Sequence, residues 1–407
     1  MSADTQRCGR CSAVALATAA LLLFSALPGQ GKGYEVHNWH VEAGLPSARV
    51  TAIAQTPDDY LWVGTPRGLA RFDGVRFKVF TAETSPGLGD SRIVSLHTDR
   101  QGTLWVGTLD GNVVRWQDGR FQPVSPPVPL PVDADKLRMP DIEPRDTASR
   151  DKESVLISDG DGALWWSMPG KGVARLKVGT WTVFTQSNGL PNAAGPLACA
   201  SEGRIWVASG VKYLHCFDGS QWEPAAQAVR LKGRALPTLA PAVGGGLWVA
   251  DQYAWSSWNT GRVCRLAGWQ PDRPAQFTNY WTIPPRTEVT ALREDRNRRL
   301  WAGTRNGLFY FDDGGQWCKL EVEGPTPLEL ARVTCLLEGP PGNLWVGTLH
   351  DGLFRVTPRP VTTFALPTPG LAVRCLCVAR DDVLWVGTAE KGVFRFDAGG
   401  FTPVGGE

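Results

Sequence analysis

Histidine and methionine are scarce in this chain, with five and three among 407 residues. Neither sign of charge dominates: 42 Lys and Arg stand against 40 Asp and Glu, a formal net charge of +2. Without a basic excess there is no bulk electrostatic case for nucleic acid or for an anionic membrane surface. The histidines are scattered at His37, His40, His97, His215 and His350. No H-E-x-x-H, G-x-S-x-G, phosphate-binding loop or glycine-rich dinucleotide turn is present. The corresponding classes of metalloprotease, hydrolase, nucleotidase and dinucleotide enzyme are therefore set aside, and no cofactor or metal is expected. After Leu27 no apolar run approaches the ~18–20 residues of a membrane-spanning helix. Paired C-x-x-C spacing is also missing, so zinc is not expected. The lone C-x-x-C, Cys8 to Cys11, lies ahead of an apolar run and reads as incidental. Seven cysteines remain: Cys199, Cys216, Cys264, Cys318, Cys335, Cys375 and Cys377. Seven is odd, so at least one is unpaired; the ordinary reading is small buried residues on strands.

What is present begins with a leader. Arg7 and Arg10 form a basic segment, residues 12–27 are apolar, and Pro28-Gly29-Gln30-Gly31 breaks the run. The run is short for an anchor, so residues 1–31 read as a signal peptide cut near Gly31. No cysteine follows it that could carry a lipid. A periplasmic or secreted location is expected.

Tryptophan and glycine are plentiful, at 18 and 46, and they recur together. The pentapeptide LWVGT stands at residues 61–65, 104–108, 344–348 and 384–388, with LWAGT at 300–304. Weaker copies are LWWSM at 164–168, IWVAS at 205–209 and LWVAD at 247–251. The first positions are spaced by 43, 60, 41, 42, 53, 44 and 40 residues. Most of these match the ~40–45 residues of one four-stranded propeller blade.

The first unit shows the strands. Residues 50–55, 60–65, 69–72 and 76–80 are apolar or β-branched, and turn residues separate them. Asp73-Gly74, like Asp118-Gly119 and Asp218-Gly219, is a hairpin signal. Within the pentapeptide, Trp62 and Gly64 share one face of the strand while Leu61, Val63 and Thr65 share the other. Both faces of a blade pack on neighbouring blades, so both must be apolar. The tryptophan reads as core, and the glycine leaves room for a neighbour.

The expected fold is all-β: a single β-propeller of four-stranded antiparallel blades over residues 32–407. Eight blades are favoured; seven blades plus a surplus repeat is the alternative. A Pro-rich insertion at 126–150 and a Trp-containing insertion at 252–276 account for the two long intervals. The segment 34–40 reads as a fourth strand without a blade of its own and is expected to pair with residues 392–397. Residues 401–404 are a competing fourth strand for that place.

These residues resemble the two-component regulator propeller repeat. Asp99 to Thr108 follows its D-x-x-G-x-L-W-V-G-T half, and Gly68 to Gly74 follows its G-L-x-R-F-D-G half. The linking G-L-P appears at Gly44 and Gly189. The copies at 205–209 and 247–251 depart from it by losing Gly-Thr. The resemblance implies an exported, ligand-binding sensor propeller of a two-component system, with a membrane histidine kinase as partner. The chain ends on the eighth repeat with no kinase sequence, which reads as a stand-alone sensor or scaffold, or a reading frame cut short. A protein-interaction scaffold is the alternative function. A propeller glycosidase or lyase stands behind both, so no enzyme is expected. Residues 158–165 come near a sialidase-type aspartate box, which is a turn device, and His350 beside Asp351 is the only neighbour pair that would suit a lyase.

The ligand end follows from topology. In a four-stranded meander the start of the first strand and the loop between strands two and three lie at one end. Arg49, Arg92, Lys152 and Arg332 fall at such starts, and Arg67, Arg305, His350 and Asp351 fall on such loops. Basic groups gathered at one mouth would favour an anionic ligand, such as an acidic oligosaccharide. These eight residues are the candidate ligand-binding set.

Overall fold

A computed structural model describes residues 33–124, 155–168, 172–190, 194–209, 213–224, 238–251, 261–267, 276–284, 287–312, 314–320, 322, 326–340, 342–358, 366–368, 371–379, 383–397 and 400–404. The leader and the 126–150 insertion lie outside them. The described structure is all-β, with eight four-stranded antiparallel sheets, as expected. The chain divides into two units: Tyr34–Pro358, and a second containing Arg359–Glu407.

Each sheet takes its shape from the same few residues. In the second sheet, Ile93–Thr98, Leu104–Thr108, Val113–Gln117 and Arg120–Pro123 follow in order. The hairpin from its first to its second strand is tied by Asp99. Its Oδ1 accepts the backbone N–H of Gln101 at 3.0 Å and of Thr103 at 2.8 Å, and Oδ2 accepts Trp105 Nε1–H at 2.7 Å. Gly102 turns the hairpin at φ +83°, where a side chain would be strained. Asp159 and Asp295 repeat the arrangement toward Trp165 and Trp301, at 2.7 and 2.8 Å. In these three sheets the motif tryptophan is thus core on its rings and tied to the turn through its nitrogen. At the other end of the second strand, Thr65, Thr108, Thr304 and Thr348 each donate to a carbonyl across the next loop.

In the unit Tyr34–Pro358, seven sheets form a closed ring. The first strands pack in succession, and the seventh sheet's Val333–Gly339 packs against the first sheet's Ala52–Gln55. Hydroxyls stitch the joints: Thr51 Oγ1 donates to Ile93 O (2.7 Å), Thr290 to Val333 O (2.6 Å) and Thr334 to Val50 O (2.7 Å). The last of these crosses the closure. The motif glycine makes a slot that the next sheet fills. A Cβ on Gly64 would lie 2.7 Å from Ile93 Cγ2, and one on Gly347 would lie 2.6 Å from Val50 Cγ1.

The N-terminal strand corrects an expectation. Tyr34–Trp39 pairs antiparallel with Leu353–Pro358 in the seventh sheet, not with residues 392–397. Its side chains explain the choice. Trp39 lies 5.4 Å from Trp345 and 5.2 Å from Phe72, across the closing joint, and Tyr34 meets Trp301 edge-on at 5.6 Å. The two candidate fourth strands therefore do not compete. The second unit has its own sheet, Val373–Val378, Leu384–Thr388, Val393–Asp397 and Gly400–Val404. Within the 252–276 stretch, Arg262–Ala267 is the third strand of the fifth sheet; residues 252–260 and 268–275 lie outside the described residues.

All seven cysteines past the leader lie on strands and are free thiols. Cys216 and Cys264 fit the buried reading, and burial pushes each thiol up to about 12. Cys375 and Cys377 are exposed instead.

Candidate functional site at the loop mouth

The topological expectation places strand starts beside second-to-third loops, and the backbone bonds show that juxtaposition. Leu109 N donates to Arg92 O at 2.9 Å, Leu349 N to Arg332 O at 2.8 Å, and Arg305 N to Glu288 O at 3.2 Å. At the closing joint Val50 N donates to Thr348 O and Gly352 N to Ala48 O, both at 2.9 Å. Arg49 therefore runs beside the loop that carries His350 and Asp351. Asn38 of the N-terminal strand steadies that loop, with Nδ2 donating to Asp351 O at 2.8 Å.

The charges at this mouth are mixed. Arg92 grips Asp90 with two nitrogens, Nε at 3.0 Å and Nη2 at 2.7 Å. Burial works against ionisation of Asp90, yet the hydrogen bonds from Arg92 hold its carboxyl below the ordinary carboxylate value. Arg305 Nε pairs with Glu288. Asp110 accepts the backbone N–H of Asn112 on its own loop at 3.2 Å. Two of the predicted arginines are thus engaged by local carboxylates. The signal was available: Asp90 stands two residues before Arg92. Arg67 and His350 are exposed on their loops, and Arg49 and Arg332 are half-buried. Lys152 lies outside the described residues.

Chemistry away from the mouth is structural in form. His97 Nε2 lies 2.8 Å from Ser158 Oγ and joins the second sheet to the third. Burial lowers its imidazole to about 4, outweighing the opposing pull of Asp99. His215 is also lowered to about 4, by burial. Both rings are neutral at pH 7. Asp159, in the aspartate-box segment, acts as the turn device described above. Among the described residues no group of His, Cys, Asp and Glu is disposed to hold a metal.

A second concavity lies at the opposite end, between the third and fourth sheets, with a volume of about 260 Å³. Asp161, Lys177, Glu202, Arg204 and Arg175 line it. Lys177 pairs with Asp161 at 3.2 Å. Arg175 lies over the rings of Trp165 and Phe217, 5.4 and 5.3 Å from their centroids. The same cross-strand pair recurs as Arg71 over Trp62 and Arg355 over Trp345, so the arginine is part of the repeat. Sequence reasoning gave this arginine no role, although the G-L-x-R spelling carried it.

Comparison with known proteins agrees with the repeats. Residues 44–67, 87–110 and 327–350 match the family model described as two component regulator propeller. No curated protein matches the sequence. Among solved structures, the extracellular domain assigned to a hybrid two component system of B. thetaiotaomicron is similar at TM-score 0.61 and 17% identity, over 91% of this chain and 49% of that one. One assigned to a one component system of the same organism gives 0.58 and 17%, over 90% and 46%. Virginiamycin B lyase from Staphylococcus aureus gives 0.58 and 13%, over 80% and 99%. At these identities the likeness is one of fold. The chain spans about half the length of the two extracellular domains.

Proposed function

We propose that this chain, which is built of two-component regulator propeller repeats, is a ligand-receiving propeller of a two-component signalling system that works outside the cytoplasm. The observation that carries the reading is the match of three separate repeats to that family model. A membrane histidine kinase is the partner this implies, and no nucleic acid enters. In the described residues no helix is long and apolar enough to cross a membrane. The work assigned to this chain is binding, without catalysis.

The ligand is a glycan or other small molecule held at the loop mouth, with acidic oligosaccharides favoured. Arg49, Arg67, Arg332, His350 and Asp351 are the groups assigned to meet it. Arg92 and Arg305, fixed by Asp90 and Glu288, serve as walls rather than as primary contacts. Arginine suits a carboxylate or sulfate because its planar fork donates two parallel hydrogen bonds. Binding of such a ligand should weaken with salt, since exposed charges are screened within ~8–10 Å at physiological ionic strength. The test is calorimetric titration of the purified propeller with neutral, uronic and sulfated oligosaccharides. Arg67→Ala and Arg49→Gln should lower affinity for the acidic members about tenfold each. Equal binding of neutral and acidic glycans, or binding indifferent to both substitutions, would overturn the assignment. Turnover of a glycan or a streptogramin by the same material would replace it with an enzyme.

A further inference from the structure

The third strands repeat an arginine opposite the motif tryptophan, and several copies give its guanidinium something to hold. Arg71 lies over the Tyr60 ring, 4.1 Å from its centroid. Arg115 Nε donates to Gln122 Oε1 at 3.0 Å, and Arg265 Nη2 donates to Gly245 O at 2.9 Å. The third sheet lacks the first two of these devices. Ala163 stands where the first sheet has Tyr60, directly before the pentapeptide. Thr182 faces Arg175 where Gln122 faces Arg115.

Arg175 is held by rings instead. Its guanidinium carbon lies 5.4 Å from the Trp165 centroid, 5.7 Å from Phe184 and 5.3 Å from Phe217. Ring contact takes the faces of a guanidinium and leaves its in-plane N–H donors unused. Among the described residues Nε is buried without an acceptor, and no carboxylate pairs with the side chain. A buried cationic donor in that state is unfavourable until something accepts from it. This arginine lines the concavity of about 260 Å³ between the third and fourth sheets. The frame of that concavity is firm. Where the two turns touch, Gly160 N donates to Gly203 O at 3.4 Å, and Arg100 Nη1 donates to Gly160 O at 2.7 Å. The rest of its charged lining is Lys177 and Arg204 against four carboxylates. Lys177 answers Asp161. Glu202, exposed on the rim, gives Oε2 to the N–H of Gly246 at 3.1 Å.

We propose that this concavity binds a small zwitterion of the α-amino acid class, its carboxylate on Arg175 and its ammonium toward Glu202. The planar guanidinium fork matches a carboxylate, which supplies the acceptors that Arg175 lacks. A ligand anionic throughout would be repelled by the four carboxylates of the lining. A cationic far end turns the same groups into attraction. The volume lies below the ~300–1,000 Å³ of drug-sized sites, which sets the ligand at the scale of an amino acid and not of an oligosaccharide. The concavity is at the end away from the loop mouth, so the inference stands whichever ligand the mouth takes.

Calorimetric titration of the purified propeller with each of the twenty L-amino acids tests it. At least one should bind, one molecule per chain. Its N-acetyl derivative, which lacks the ammonium, and its amide, which lacks the carboxylate, should each bind at least ~10-fold more weakly. Arg175→Gln should weaken binding of the amino acid at least ~10-fold. Glu202→Gln should weaken the amino acid and leave the N-acetyl derivative unchanged. Being on the exposed rim, Glu202→Gln carries the test where Arg175→Gln lowers the melting temperature. Arg71→Gln removes the same repeat arginine from another joint and should leave binding intact, as should Arg67→Ala at the mouth. Four results would each overturn the proposal. One is no binding by any of the twenty at millimolar concentration. Another is an N-acetyl derivative or an amide that binds as well as its amino acid. The third is binding indifferent to both Arg175→Gln and Glu202→Gln. The fourth is an equal loss in Arg71→Gln, which would make the arginine's role one of packing.

Discussion

Gly347→Ala is the sharpest test of how the ring is closed. The glycine's backbone is not in the left-handed region, so alanine is conformationally admissible and its effect is one of space. Its Cβ would lie 2.5 Å from Cys335 Sγ, 2.6 Å from Val50 Cγ1 and 3.1 Å from Val50 Cβ. Cβ atoms do not approach other heavy atoms that closely, so Val50 must move. Val50 is fully buried, and its N–H and C=O are both committed across the joint, to Thr348 and Thr334. Overpacking of this kind costs ~1–3 kcal/mol, and the opposing loss of unfolded-state entropy from Gly to Ala returns ~0.4–1 kcal/mol. The net expectation is a loss of about 1.3 kcal/mol. Unfolding entropy is ~2.1 cal/mol/K per residue, so for the ~325 residues of the ring it is about 0.7 kcal/mol/K. Melting should therefore fall by about 2 °C. Scanning calorimetry with a urea titration measures both figures. The control is Gly387→Ala, whose close neighbours among the described residues belong to Cys375 and which should leave the ring's transition in place. Val50→Ala combined with Gly347→Ala should be less destabilising than the sum of the two, with a coupling of about 1 kcal/mol. Strict additivity, or a wild-type melting temperature for Gly347→Ala, would refute the slot as the closing device.

Removing residues 32–40 should expose the Leu353–Pro358 edge and the rings of Trp345 and Phe72, giving aggregation on size-exclusion chromatography; elution like the intact mature chain would count against the closure. Asp99→Ala leaves Trp105 Nε1 and two turn N–H groups without their acceptor, for an expected loss of ~1–3 kcal/mol by urea unfolding, whereas Asp99→Asn should lose less. His97 and His215 have folded values near 4, below the ~6.5 of an unfolded imidazole. A depressed folded value means the unfolded chain takes up the proton first, so stability is full above pH ~6.5 and is lost as pH falls toward 4. Each contributes up to ~3 kcal/mol over that window at 1.36 kcal/mol per unit. Melting temperatures measured from pH 7 to 4 should fall for the parent chain and fall less for His97→Gln, which keeps a polar partner for Ser158.

The strand order was legible because the repeat states it several times over. Asp, Gly, Trp and Thr recur at fixed offsets, and each has one local task that needs no knowledge of the neighbouring sheet. What was not legible was anything settled by contact between sheets. Tyr34–Trp39 reads as a fourth strand from its alternation, but its choice of the seventh sheet depends on Trp39 reaching Phe72 and Trp345 together. The mouth was legible as a place. Counting cations along the sequence gathered Arg92 and Arg305, while Asp90, two residues before Arg92, and Glu288, at a strand start, pair with them.

The division of tasks in the repeat explains where such a fold can vary. The residues that hold the joints lie on a strand, at a strand start as Val50 and Thr51 do, or in the turn at the end away from the mouth. The second-to-third loop is held by its threonine and by backbone hydrogen bonds such as Leu349 N to Arg332 O, which leave its side chains open to change. The fifth sheet shows how far that freedom extends. There Thr is replaced by Asp251, buried at 3% exposure, and its carboxylate takes Arg262 Nε at 3.0 Å from the far side of the loop. An ion pair this enclosed stabilises little relative to apolar residues, but breaking one partner costs ~3–5 kcal/mol. It therefore acts as a clamp that fixes where a longer loop leaves and rejoins the sheet. The residues between, 252–260, include Trp255 and Trp258. Among the motif copies the fifth sheet alone puts a carboxylate where the repeat has a small hydroxyl, so a charged clamp replaces the uncharged one at that point of the ring.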